Sequence, residues 1–198
     1  MFEPHDITII AGLSGVGKTY VINALMQKDG DYAHFSAGSL IKTRMASLER
    51  DHLRELEKNV ILNNQRLMVE QFRKEILALD RKFKILFDAH MLIDSDQGIV
   101  EIPYEIFEQI LPTRLIFLFD KVDQIIARRE GDTTRKRPTR TTAEITKQQE
   151  RSILLAQKYC DNLGIPFMQI HSNDLMALTK ATFVNSAVQN KDGSSHEA

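Results

Sequence analysis

Cysteine is nearly absent: Cys160 is the single one among 198 residues. One thiol closes no internal disulfide, so stability has to come from an ordinary core, and a reducing compartment is the expectation. Long apolar runs are missing too, and none approaches the 18 or more residues that a membrane span needs. The first residues, MFEPHDITIIAG, carry an acid and no basic stretch ahead of the apolar ones, which is not the pattern of a secretory signal. A cytoplasmic location is expected. Neither charge dominates: 26 basic and 27 acidic residues leave a formal net charge of −1. A broad electrostatic nucleic-acid binder needs a basic excess, so nucleic acid is not an expected partner and any anion site must be local.

What is present is an ordinary globular balance, 42% hydrophobic and 27% charged. That composition excludes wholesale disorder, and the length suits one domain with inserted flaps. No repeat recurs at periods of 20 to 50 residues. Residues 1–188 read as one domain and the polar residues 189–198 as a frayed tail.

Five short apolar runs predict strands: Ile7–Ala11, Ala33–Ser36, Phe83–Phe87, Leu115–Phe119 and Pro166–Ile170. Their apolar residues follow one another without alternation, the mark of parallel strands covered on both faces. Helical patterns lie between them. Lys18–Gln27 is one. Asn64–Leu79 repeats Val69, Phe72, Ile76 and Leu79 at steps of three and four. Thr142–Leu163 has Thr141 and Glu144 at capping-box spacing before it and Gly164 and Pro166 after it. Pro103–Leu111 and Asp123–Arg129 are shorter, and a last helix is expected near Asp174–Ala187. Strands alternating with helices predict a doubly wound α/β fold: a five-stranded parallel sheet between two helical layers. Such sheets bind ligands at the carboxyl ends of their strands.

Directly after the first run comes Gly12-Leu-Ser-Gly-Val-Gly-Lys-Thr19, a full match to G-x-x-x-x-G-K-[ST] between a strand and a helix. Gly12, Gly15 and Gly17 let the backbone curl so that its N–H groups converge on phosphate oxygens. The helix that follows adds its positive end. Lys18 reaches the β- and γ-phosphates and Thr19 offers a hydroxyl to Mg²⁺. Val16 and Tyr20 complete the expected nucleotide-binding stretch. This is a P-loop signature, and it predicts binding of a nucleoside triphosphate.

The other strand ends carry further candidates. Ser36-Ala-Gly38-Ser39 is small enough for close approach, with Ser39 as a helix cap before Leu40. Asp88, after the third run, suits Mg²⁺ or its waters, and His90 is either a phosphate partner or a packed histidine. Asp120-Lys-Val-Asp123 lacks the Asn of a guanine-reading N-K-x-D and reads as a helix start with an acid near its positive end. Arg128 to Arg140 holds six basic and two acidic residues, a local charge of +4. Without interleaved aromatics it suits a short basic lid, about 128–141, that brings guanidinium groups onto a transferring phosphoryl. Cys160, inside a helical pattern and without a paired histidine, reads as structural.

The order of these motifs resembles nucleoside monophosphate kinases, most closely archaeal-type adenylate kinases, over roughly residues 7 to 187. Phe35-Ser-Ala-Gly-Ser-Leu40 matches the small-residue turn after the second strand. Arg50-Asp-His-Leu-Arg54 matches R-D-x-[ML]-R of an acceptor flap, here about residues 38–62. Asp88-Ala-His90 matches D-x-H, and Arg128, Asp132, Arg135 and Arg137 match the short lid. Glu101-Ile102-Pro103 departs from the family's Gly-Leu-Pro, on the acceptor side. The resemblance implies Mg·ATP as donor and a nucleoside monophosphate, AMP, as acceptor. It implies that Lys18, Arg128, Arg135 and Arg137 serve catalysis, that Ser36, Gly38, Arg50, Arg54 and His90 serve the acceptor, and that Thr19 and Asp88 (through water) hold the metal. It also implies self-association. The alternatives are a P-loop kinase for another nucleotide, a metabolite or a nucleic-acid 5′-hydroxyl, and an ATP-dependent switch.

Overall fold

A computed structural model describes residues 5–28, 30–44, 58–133 and 137–183. The predicted flap residues Arg50 and Arg54, the lid residue Arg135 and the expected tail lie outside them. Strands β1 (Ile7–Ala11), β2 (Tyr32–Ser36), β3 (Lys84–Asp88), β6 (Arg114–Phe119) and β7 (Phe167–His171) form one parallel sheet in the order β2-β3-β1-β6-β7. All five predicted strands are present, each within one residue at either end. β1 sits at the centre because its residues pack on both faces: Ile9 joins one apolar cluster and Ile10 the other.

The first cluster gathers Phe72, Phe87, Phe107, Phe117 and Tyr159. They come from the sheet and from α3 (Lys58–Leu77), α4 (Tyr104–Ile110) and α6 (Thr142–Leu163). Phe72 stands edge-on to Phe35 and Phe87, with ring centroids 5.2 and 4.8 Å away. The second cluster joins Ile10, Leu86 and Leu118 to α1 (Lys18–Lys28), α5 (Val122–Gly131) and α7 (Leu175–Phe183). Helices therefore cover both faces, as expected of a doubly wound sheet.

The ends of α6 agree with the sequence reading because both are chemically marked. Thr141 and Glu144 close a reciprocal capping box, and Gly164 takes the left-handed conformation that stops the helix. Elsewhere the structure corrects the expectation. Among the described residues α3 already runs from Lys58, six residues before Asn64, because Val60, Ile61 and Leu62 extend the helical pattern and Ile61 joins the buried stripe. α2 (Ala37–Arg44) leaves β2 directly, so Ser39 lies inside its first turn and does not cap a helix at Leu40. An antiparallel hairpin, β4 (Leu92–Ser95) and β5 (Gly98–Glu101), was not expected. Gly98, at φ 122°, makes its turn, and Ser95 donates to the Gly98 carbonyl at 2.7 Å. No helix among the described residues is long and apolar enough to cross a membrane.

Candidate functional site

The chain reverses its direction of travel across the sheet at β1, whose neighbours are β3 and β6. A crevice opens there at the carboxyl ends of the strands. The loop 12–17 fills its floor and runs into α1. Two glycines are required by space as well as by dihedral angle. A Cβ on Gly12 (φ 150°) would stand 2.6 Å from the Leu118 carbonyl oxygen of β6, and one on Gly15 (φ 88°) 2.8 Å from Cγ of Arg129. Gly17 also has positive φ, 108°, but a Cβ there would meet only Ser172 Cβ, at an ordinary 4.0 Å. Val16 is buried with its side chain in the core, whereas Tyr20 is 68% exposed.

Lys18 is buried, and its ammonium is folded back onto its own loop. It donates to the carbonyls of Gly12 (2.9 Å) and Leu13 (3.2 Å). It also lies 3.1 Å from His90 Nε2 and 3.8 Å from Asp88 Oδ1. The structure thus joins three of the predicted residues from β1–α1 and β3 at one point. Ser36 stands opposite Asp88 in the strand register, with Gly38 just beyond it in α2. His34, two residues before Ser36, is held below the ordinary histidine range by burial, against the pull of the Asp88 carboxylate. It therefore stays neutral at pH 7.

Three arginines grip the loop from the other side. Arg128 donates to the Val16 carbonyl at 3.1 Å, Arg129 to the Ser14 carbonyl at 2.8 Å, and Arg137 to Ser14 Oγ at 3.2 Å. Each also faces a carboxylate: Asp120 for Arg128, Asp94 for Arg129 and Asp132 for Arg137. Arg128 and Arg129 belong to α5, so the segment expected to begin a lid starts as helix.

Asp120 is a correction of substance. It is not simply an acid at a helix start; its carboxylate is buried and joins three elements. It accepts from Arg128 (2.8 Å), Ser172 Oγ (2.6 Å) and the Lys121 amide (2.7 Å), and His171 Nε2 lies 3.2 Å away. Burial alone would raise its pKa, but the hydrogen bonds from Ser172 and Arg128, with the Lys121 amide, outweigh that and hold it below the ordinary carboxylate value. The Asp94 and Arg140 contacts were also missed. Arg140 donates to Asp94 Oδ1 from Nε (3.1 Å) and Nη2 (2.9 Å). Asp120 had the same signal as Asp88, an acid ending a buried strand; Asp94 had none, because the hairpin that carries it was not foreseen. Cys160 is buried, and burial with the neighbouring Asp161 pushes its thiol up to about 12, so it is inert at neutral pH.

Two cavities lie against the loop. One of about 270 Å³ is lined by Gly15, Gly17, Lys18, Thr19, Asp88 and Arg128, among others. The second, of about 120 Å³, is lined by Leu13, Leu92, Asp94, Arg129, Pro138 and Gln148, among others. Ser14, His90 and Arg137 border both. A strand, a glycine loop with its lysine, a helix and an arginine collar define a P-loop kinase.

The chain belongs to the AAA domain family, whose pattern it matches over residues 11–146. It is 25% identical over 178 residues to the adenylate kinase of Methanoculleus marisnigri, covering 85% of this chain and 90% of that one. The adenylate kinase of Pyrococcus horikoshii is also 25% identical, over 87% of this chain and 84% of its own. In fold the chain is similar to shikimate kinase from Bacteroides thetaiotaomicron, with a TM-score of 0.55 at 12% identity over 90% of this chain and 99% of that one. The chain is an ATP-dependent phosphotransferase of the P-loop nucleotide-kinase type.

Proposed function

We propose that this enzyme transfers the γ-phosphoryl group of Mg·ATP to the phosphate of a nucleoside monophosphate, AMP. The observation that carries the reading is the pair of cavities meeting at Ser14, His90 and Arg137. Transfer needs donor and acceptor on either side of one point, and the loop with Lys18 marks the donor side. Likeness to archaeal adenylate kinases over most of the chain supports AMP as the acceptor in this reading.

In this reading the triphosphate lies along residues 12–20 and draws the Lys18 ammonium off the Gly12 and Leu13 carbonyls. Arg128, Arg135 and Arg137 supply positive charge to the transition state. Ser36, Gly38, Arg50, Arg54 and His90 serve the acceptor, with about residues 38–62 acting as its flap and about 128–141 as a lid. The attacking group is an acceptor phosphate oxygen, already ionised at neutral pH, so no side chain has to remove a proton.

The residues fit a magnesium ion. Thr19 lies in the first turn of α1 beside the loop, and Asp88 Oδ1 is buried without a hydrogen-bond partner. The described residues hold no cluster of three or more His, Cys, Asp or Glu, which suits a metal bound chiefly by phosphate and water. Thr19, with Asp88 through water, would hold the ion, which would supply positive charge to the phosphates of the donor.

Arg137→Ala tests the assignment of roles. Its turnover should fall by about 10²-fold or more while affinity for an ATP analogue changes by only a few fold. Turnover equal to that of the unaltered enzyme refutes the role of Arg137.

A further inference from the structure

Asp94 lies on β4, a strand that contributes nothing to the main sheet. Its two oxygens face two different arginines. Oδ1 accepts both bonds from Arg140, which also donates to the Ser95 carbonyl at 3.2 Å. Oδ2 lies 3.7 Å from Nη1 of Arg129 and has no hydrogen bond of its own. Arg129 belongs to the last turns of α5, and Arg140 immediately precedes Thr141, the cap of α6. One carboxylate therefore ties together the end of one helix, the start of the next and the hairpin.

The Arg129 side chain is only 9% exposed. A guanidinium that deep needs a counter-charge to hold one place, because an unpaired buried charge is costly. Arg129 passes its position on. Its Nε supports the Ser14 carbonyl, and its own carbonyl accepts from Arg137 Nη1 at 3.4 Å while Arg137 Nε reaches Ser14 Oγ. The chain of contacts runs from Asp94 through Arg129 to Arg137 and Ser14, both of which border the two cavities.

We propose that Asp94 is a positioning residue for phosphoryl transfer: through Arg129 and Arg140 it sets where Arg137 stands over Ser14, and it acts on the transfer step rather than on ATP binding. This rests on the nucleotide-kinase reading above for its kinetic part only. Asp94 stands apart from the Lys18 contacts with Gly12, Leu13 and Asp88 and reaches loop 12–17 through Arg129, so loss of its charge should disturb the transfer geometry more than triphosphate affinity.

Asp94→Asn tests it. The amide keeps an oxygen for Arg140 and removes the charge that faces Arg129. The expected result is a fall in kcat of about 10- to 100-fold, the scale of a misplacement of about 1 Å, with affinity for a non-hydrolysable ATP analogue within about threefold. Asp94→Glu restores the charge and should recover part of the rate. Amide hydrogen exchange of the protein without nucleotide supplies a second readout that needs no acceptor: exchange quickens at residues 137–141 and stays unchanged in α3. An unaltered kcat overturns the proposal. So does an equal loss of kcat and ATP affinity, or faster exchange spread evenly over the chain, which would mark a merely structural residue. If the unaltered enzyme phosphorylates no acceptor, the kinase reading fails, and the exchange pattern alone then decides for or against Asp94.

Discussion

At the scale of single residues, the site is organised by carboxylates that each answer a cation. Asp88 stands by Lys18, Asp94 between Arg129 and Arg140, and Asp120 beneath Arg128. Asp120 is the best satisfied, and the consequence is testable. Asp120→Asn should cost about 1–3 kcal/mol in urea unfolding at pH 7, since Arg128 and Ser172 lose a charged acceptor. The folded-state pKa of Asp120 is depressed, so its contribution is present above the unfolded value near 4 and fades as pH falls through the lower folded value. Below that window the two proteins should converge in stability. A difference that stays constant from pH 7 to pH 2 would show that the charge is not what matters.

At the scale of elements, the loop 12–17 and the start of α6 carry the load. Gly15 has a positive φ and the Arg129 stem against it. Gly15→Ala should therefore disturb the loop and the arginine together, weakening ATP binding by about tenfold or more in calorimetry; unchanged affinity would mean that the loop rebuilds itself around a side chain. Thr141 caps α6 in a reciprocal box with Glu144. Thr141→Ala should lower stability by about 1 kcal/mol in thermal or urea unfolding. No loss would mean that Glu144 or water serves the helix end equally well.

The elements also show what could be read in advance. α6 was legible at both ends because its cap and its glycine are chemical marks. The central strands β1, β3 and β6 were legible because burial on both faces leaves continuous apolar runs, and the half-buried edge strands β2 and β7 because shorter apolar stretches stand between helical patterns. The hairpin was not: four-residue strands that mix Leu92, Asp94 and Ser95 give too short a pattern to separate from a loop. Asp94 was invisible for that reason. Asp120 was visible as an acid but misjudged, because its partners Ser172 and His171 lie some fifty residues away and meet it only through the β6–β7 pairing.

At the scale of the whole molecule, one sheet order accounts for the site. Placing β1 between β3 and β6 sets the glycine loop, Asp88 with His90, and Asp120 side by side, although they are far apart in the chain. With helices on both faces, a ligand is met at the carboxyl edge of the strands. The two cavities at that edge share Ser14, His90 and Arg137 as lining residues, and the proposed reading puts the donor on one side of them and the acceptor on the other. The most direct measurement is incubation of the enzyme with Mg·ATP and AMP, with nucleotides resolved by chromatography and free phosphate assayed alongside. The account predicts two molecules of ADP for each AMP consumed and no release of phosphate. ADP and phosphate formed in equal amounts, at a rate indifferent to AMP, would contradict it.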